Sequence, residues 1–139
     1  MQLIAKKVLH FTLSAAALGF VAACTTNGSF AQTVTVAIWR GGDDGLTVRL
    51  SDAIETAFRS STSFSISNTK QSGALLVTIP TNVPWKQVGD QTQVLYTVEF
   101  TSGDGRKLGT SEGSCWADAL AECATHVVKD AQIATAKIH

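Results

Sequence analysis

The sequence has few of the residues from which active sites and metal centres are usually built. Its 139 residues include only three histidines and three cysteines. A hydrolytic triad needs a base, usually histidine, and a zinc site needs about four ligands. His10 lies in the apolar N-terminal stretch and His139 is the last residue, which leaves His126 on an expected helix surface between Glu122 and Asp130. We therefore expect no enzyme activity, no metal and no cofactor.

The chain also lacks an excess of either charge, with eleven basic and eleven acidic residues. After residue 31 there are nine basic residues against eleven acidic ones, so that part carries a net charge of −2. No basic stripe is present that could neutralise a phosphate backbone. We therefore expect no nucleic-acid partner.

Long apolar runs are absent except near the N-terminus. Lys6 and Lys7 precede the apolar run Val8–Ala23, which is shorter than the ~20 residues of a spanning helix and is typical of an export signal. Residues 1–31 are thus a predicted signal, with cleavage after Ala31. The end of the run, "VAAC", resembles the lipobox of bacterial lipoproteins, which implies cleavage after Ala23 and a lipid on Cys24. Both alternatives predict export, to the periplasm or to a membrane anchor.

Residues 32–139 are long enough for one domain with its own core. The sequence alternates between strand and helix patterns. Strands are predicted at 33–40, 64–66, 75–79, 91–101 and 106–115, and helices at 46–59, with Asp44 as the N-cap, and at 118–137. The strand at 106–115 is poor in apolar residues, so we expect a bulged edge strand. Residues 81–90 are a predicted loop.

This order, β-α-β-β-β-β-α, predicts an α+β fold. The simplest architecture is a two-layer sandwich with an antiparallel-rich sheet and both helices on one of its faces. Small accessory domains of the Gram-negative envelope are similar in element order.

Cys115 and Cys123 form an even pair in a chain expected to be exported, where oxidation favours a disulfide. Their seven-residue spacing lacks the C-x-x-C geometry of redox centres. A disulfide requires Cα atoms about 4.4–6.8 Å apart. If the last helix begins near Asp118, a chain reversal at Trp116–Ala117 can bring Cys123 back to Cys115. We therefore predict a structural disulfide together with a helix start near Asp118.

The sheet face expected to lie away from the helices carries a mixture of threonines and apolar side chains. This mixture fits neither a core nor a charged solvent face, and it predicts a surface for a partner. Its expected contact residues are Trp39, Leu76, Leu95 and, from the loop, Trp85. Trp116 could extend the same surface.

These observations predict a small, non-catalytic envelope or periplasmic module that binds a protein or an envelope component. The alternative is an inhibitor of a secreted or periplasmic hydrolase, acting through a loop such as "NVPWKQ" or the hairpin turn "SGDG". Membrane contact is expected only through a lipid on Cys24.

Overall fold

The computed structural model describes residues 32–69 and 71–138, and within them the chain forms six strands and two helices. The predicted α+β class is confirmed. The predicted signal, its two cleavage sites and Cys24 lie outside the described residues. The elements are β1 (Val34–Arg40), α1 (Gly45–Ser60), β2 (Phe64–Ile66), β3 (Leu75–Ile79), β4 (Trp85–Val88), β5 (Gln91–Ser102), β6 (Lys107–Trp116) and α2 (Leu120–Thr135).

The six strands form one mixed sheet. Strand β1 pairs in parallel with β2 on one side and with β3 on the other. Strand β5 is antiparallel to β3, β4 and β6. Because β3 pairs with one end of β5 and β4 with its other end, the two strands follow one another along the same edge of β5. The sheet is therefore five rows wide, and β6 forms one of its outer rows.

One buried core contains alternate side chains of the strands and side chains of both helices. Val36, Val77 and Phe100 are among the strand residues in this core. Because successive side chains in a strand point to opposite faces, these residues mark the core face. The helices contribute a stripe with three- and four-residue spacing: Leu50, Ile54 and Phe58 from α1, and Ala124, Val127 and Ala131 from α2.

Helix α1 begins where its sequence predicts. The side chain of Asp44 accepts a hydrogen bond from the backbone N–H of Thr47 at 2.7 Å, which satisfies one of the N–H groups that a helix start leaves unpaired. The helix ends at Ser60, because Ser61 is in an extended conformation.

Two predicted boundaries are wrong. Residues 81–90 are not a loop throughout, because Trp85–Val88 pairs with Gln91–Val94 as strand β4. Helix α2 begins at Leu120 rather than at Asp118. The N–H of Ala119 instead bonds to the carbonyl of Trp116 at 2.9 Å, so residues 116–119 form a turn, and no side chain caps the helix.

The predicted bulge in β6 is confirmed, and it changes the direction of one side chain. The register shifts between Phe100 and Thr101, so that Gly109 pairs with Phe100 while Lys107 pairs with Thr101. Leu108 is the extra residue, and its side chain is buried in the core. Of the helices in the described part, neither has the length and apolar character needed to cross a membrane.

Candidate functional site

The face of the sheet opposite the core face is the candidate functional site, and we call it the outer face. Residues directly opposite each other in a strand pair share a face, so the register defines its members. They are Thr35, Ala37 and Trp39 on β1, Leu76 and Thr78 on β3, Lys86 and Val88 on β4, Gln91, Gln93, Leu95, Thr97, Glu99 and Thr101 on β5, and Lys107, Thr110, Glu112, Ser114 and Trp116 on β6.

The middle of the outer face is apolar and closely packed. Ala37 and Leu76 are paired neighbours on the central strands β1 and β3, and both are buried. Two residues further along β1, Trp39 has 53% of its surface exposed. Leu95 is also exposed and lies on β5, nearer to the hairpin with β4. The apolar surface that this part of the face exposes is therefore that of Trp39 and Leu95, beside an apolar floor of Ala37 and Leu76 that is already buried.

Charged groups on the outer face are sparse. Glu99 is partly buried, Lys86 lies on β4, and Lys107 and Glu112 lie on the outer row β6. The remaining polar members are threonines, a serine and two glutamines, whose side chains both donate and accept hydrogen bonds. Such a face can lose its water without leaving many uncompensated charges, which is the main cost of burying a polar surface.

Three of the four predicted contact residues share this face, and one does not. Trp39, Leu76 and Leu95 lie on the outer face. Trp85 is in strand β4 and pairs with Val94, whose side chain is in the core, so Trp85 points to the other side of the sheet. It is nevertheless exposed over 58% of its surface, because β4 lies at the border of the sheet.

Sequence reasoning missed Val88. It pairs with Gln91, so it lies on the outer face, and its side chain is exposed. A signal for its strand was present, because Gly89 and Asp90 together form a two-residue hairpin turn between β4 and β5. Gly89 has a φ of 59°, in the left-handed region that glycine adopts readily.

The end of β1 that carries Trp39 is fixed to the segment after β3. The side-chain oxygen of Asn82 accepts hydrogen bonds from the N–H groups of Asp43, at 2.8 Å, and Asp44, at 3.2 Å. The N–H of Gly41 bonds to the carbonyl of Ile79 at 2.7 Å. These bonds hold the loop that joins β1 to α1, so Trp39 projects from a strand that is anchored at its end.

The predicted disulfide between Cys115 and Cys123 is present, with a Cα–Cα distance of 5.8 Å that suits such a bond. Both residues are buried in the core and join the end of β6 to the first turn of α2. The bond lies on the core side of the sheet, so it supports the fold rather than forming part of the outer face.

A small polar cluster lies between β6 and α2. The hydroxyl of Ser111, which is fully buried, donates to a carboxylate oxygen of Asp130 at 2.6 Å. Burial raises the pKa of the neighbouring Tyr96, the hydrogen bond with Ser111 opposes this increase, and the charge of Asp130 adds to it. His126 is exposed, as expected for a solvated helix surface. Across residues 32–69 and 71–138, no three His, Cys, Asp or Glu side chains are grouped so that they could hold a metal ion.

A shallow groove runs between the two helices. Small side chains from both helices line it, among them Ala57, Ala121 and Thr125. This groove follows from the close approach of the helices at small residues, and we assign no function to it.

Comparison with known proteins does not show a family for this chain. No protein-family model and no curated protein matches the chain. Among solved structures, it is similar to the PelC dodecamer from Paraburkholderia phytofirmans, with 12% sequence identity and a TM-score of 0.48 over 76% of this chain and 90% of that chain. A similarity of this size is too low to transfer a site, an assembly or a function.

Proposed function

We propose that this protein is an exported, non-catalytic module that binds a protein or another envelope component through its outer face. The observation that carries this proposal is the position of Trp39, half exposed beside the buried apolar floor of Ala37 and Leu76.

Tryptophan is enriched at the centres of protein interfaces because it adds a large apolar surface and a single hydrogen-bond donor. Trp39 has no role in the core that would explain its size, since more than half of its surface is in solvent. Covering it together with Leu95 would remove apolar area from water, which stabilises association.

The proposed location is the periplasm, or the membrane surface if Cys24 carries a lipid. The N-terminal sequence supports export, and the Cys115–Cys123 bond suits an oxidising compartment. Intact mass of the purified protein separates the alternatives. A chain that begins at Gln32 indicates release, and a chain that begins at an acylated Cys24 indicates an anchor, whereas an unprocessed N-terminus contradicts export.

The binding proposal is tested with a matched pair of tryptophan variants. Trp39→Ala and Trp85→Ala remove the same side chain from similarly exposed positions, 53% and 58%, on opposite sides of the sheet. Each variant is used as bait in envelope extracts, and the partner retained by the wild type is then purified and titrated. We expect Trp39→Ala and Leu95→Asp to weaken its binding by about tenfold or more, and Trp85→Ala to have little effect.

The opposite pattern would support the alternative. A loss of binding on Trp85→Ala alone, with stoichiometric inhibition of the retained protein if that protein is a hydrolase, indicates an inhibitor that acts through residues 82–87. Equal binding by all variants contradicts the role of the outer face. Thermal unfolding of each variant checks that the differences do not come from loss of the fold.

A further inference from the structure

Strand β6 has one edge with no paired strand in the described part of the chain. In an antiparallel pair, successive residues alternately direct their N–H and C=O groups toward the partner strand and away from it. The N–H of Ala117 bonds to the carbonyl of Thr92 at 2.9 Å, so from residue 109 to 115, above the bulge, the backbone groups of the odd-numbered residues bond to β5. The backbone groups of Thr110, Glu112 and Ser114 therefore point to the free edge.

This edge lacks most of the features that prevent strands from pairing. Natural edge strands are protected by proline, by lysine or by a covering loop. The bulge and Lys107 lie at the start of β6, whereas residues 109–116 contain neither proline nor lysine. The free edge is therefore open to a further strand over most of its length.

Helix α2 presents a charged stripe beside the free edge. Glu122 and His126 form a small cleft with Gly113 and Ser114. Nearer the C-terminal end of α2, Asp130, Ile133 and Lys137 form a second cleft with Leu108 and Gly109. Ile133 is exposed over 61% of its surface. The stripe is thus acidic at its start and basic at its end, with an exposed apolar residue between.

We propose that a second copy of this chain occupies the free edge, with the two β6 strands antiparallel about a two-fold axis at Ser111. Ser111 bonds to Asp130, so an axis at Ser111 also passes close to Asp130. Asp130 lies about midway between Glu122 and Lys137 in α2. The axis therefore reverses the helix about the same point as the strand and exchanges the two ends of the stripe. The sheet then continues from one copy into the next.

The charges at the two ends of the helix stripe are complementary under this reversal, while the two Asp130 carboxylates meet near the axis, each bound by the hydroxyl of its own Ser111. The Nζ of Lys137 donates to the carbonyl of Leu108 at 3.0 Å, and Glu122 lies beside Ser114. With the axis at Ser111, residue 108 of one copy lies opposite residue 114 of the other. Lys137 thereby faces Glu122 of the second copy, twice in each dimer, and both pairs are charge-complementary.

Like charges disfavour one neighbouring register. An axis at Ser111 places Thr110 opposite Glu112 of the second copy, with backbone bonds in both directions. An axis at Glu112 would place two identical carboxylates opposite each other, which is destabilising.

The charge pairs are tested by reversal. Sedimentation velocity on the purified wild-type protein should show twice the monomer mass. Glu122→Lys and Lys137→Glu should each weaken dimerisation by about tenfold, because each places like charges opposite each other in both pairs. An equimolar mixture of these two single variants should restore the dimer, since every pair in the mixed dimer is again complementary. Restoration by mixing cannot come from a change in monomer stability.

The backbone contact is tested at Glu112. Glu112→Pro removes a single outward N–H without breaking a bond to β5, and Glu112→Ala retains that N–H. We expect the proline variant to weaken dimerisation by about tenfold or more through two lost hydrogen bonds, and the alanine variant to remain dimeric. The proposal is overturned if the wild type is monomeric at millimolar concentration, if the proline variant dimerises as the wild type does, or if the edge instead binds an extended segment of another protein. Trp39→Ala should leave the dimer intact, which separates this contact from the proposed binding at the outer face.

Discussion

The hydroxyl oxygen of Thr47 accepts a hydrogen bond from the backbone N–H of Val83 at 2.8 Å, and both residues are buried. Thr47 is in the first turn of α1, and Val83 lies between β3 and β4. This bond therefore ties the start of the helix to the segment that lets two strands follow each other along β5.

Thr47→Val tests the importance of this bond. Valine has nearly the same shape as threonine but cannot accept a hydrogen bond, so the N–H of Val83 stays buried without a partner. We expect the free energy of unfolding, measured by urea titration, to fall by about 1–3 kcal/mol. Thr47→Ser keeps the oxygen and should cost less. An equal loss in the two variants would show that the methyl group matters rather than the bond.

Removal of the disulfide should lower stability without changing the fold. In the chain-entropy treatment, the eight-residue separation of Cys115 and Cys123 corresponds to about 2.5 kcal/mol. A Cys115→Ser, Cys123→Ser variant should lose this amount in denaturant titration, and a reducing agent should destabilise the wild type equally. The double variant is its own control, because the reducing agent should leave its unfolding midpoint unchanged.

Asp44 should make the stability of the chain depend on acidity. The hydrogen bond from the backbone N–H of Thr47 holds the pKa of Asp44 below its ordinary value of 3.8. A lowered folded-state pKa contributes stability above pH 3.8, and this contribution is lost as the pH falls through the folded-state pKa. The difference in melting temperature between the wild type and Asp44→Ala should therefore be largest near neutral pH and should shrink at acidic pH. Asp44→Asn keeps a hydrogen-bond acceptor that does not titrate. The contribution of its capping bond to stability should therefore not change with pH over this range.

Replacement of two glycines near the start of α1 by alanine should change the free energy of unfolding in opposite directions. A Cβ on Gly42 would lie 2.3 Å from the side-chain oxygen of Asn82 and 2.6 Å from its backbone nitrogen. Gly42→Ala should therefore lower the free energy of unfolding by about 1–3 kcal/mol through overpacking. A Cβ on Gly45 meets nothing within 4 Å, and Gly45→Ala should raise stability by up to about 1 kcal/mol because alanine favours a helix. A neutral result at Gly42 would contradict the close contact with Asn82.

The elements that the sequence predicts best are those with a long regular pattern. The alternation in β1 and β5 and the stripe of Leu50, Ile54 and Phe58 each bury one face, so the pattern and the packing agree. The disulfide is predicted for a different reason. Only two cysteines follow residue 31, and their short spacing leaves few ways in which they could be used. The grouping of Trp39, Leu76 and Leu95 follows from the same alternation.

The parts that could not be predicted depend on contacts between distant segments. All residues of β4 are exposed, so burial leaves no pattern in its sequence. Which side of the sheet Trp85 occupies is decided by its pairing with Val94 and not by its neighbours. The start of α2 shifts because the Trp116–Ala119 turn replaces a side-chain cap at Asp118.

The order of the pairings along the chain has a consequence for how the protein folds. From β4 onward, each strand pairs with the next one in sequence, and the disulfide closes a short loop directly after β6. Strand β1, in contrast, must find β3 across more than thirty residues. Local contacts form quickly, whereas distant ones wait for the closure of a long loop. We therefore expect residues 85–135 to gain structure first and to serve as the template on which β3, and then β1 and β2, assemble.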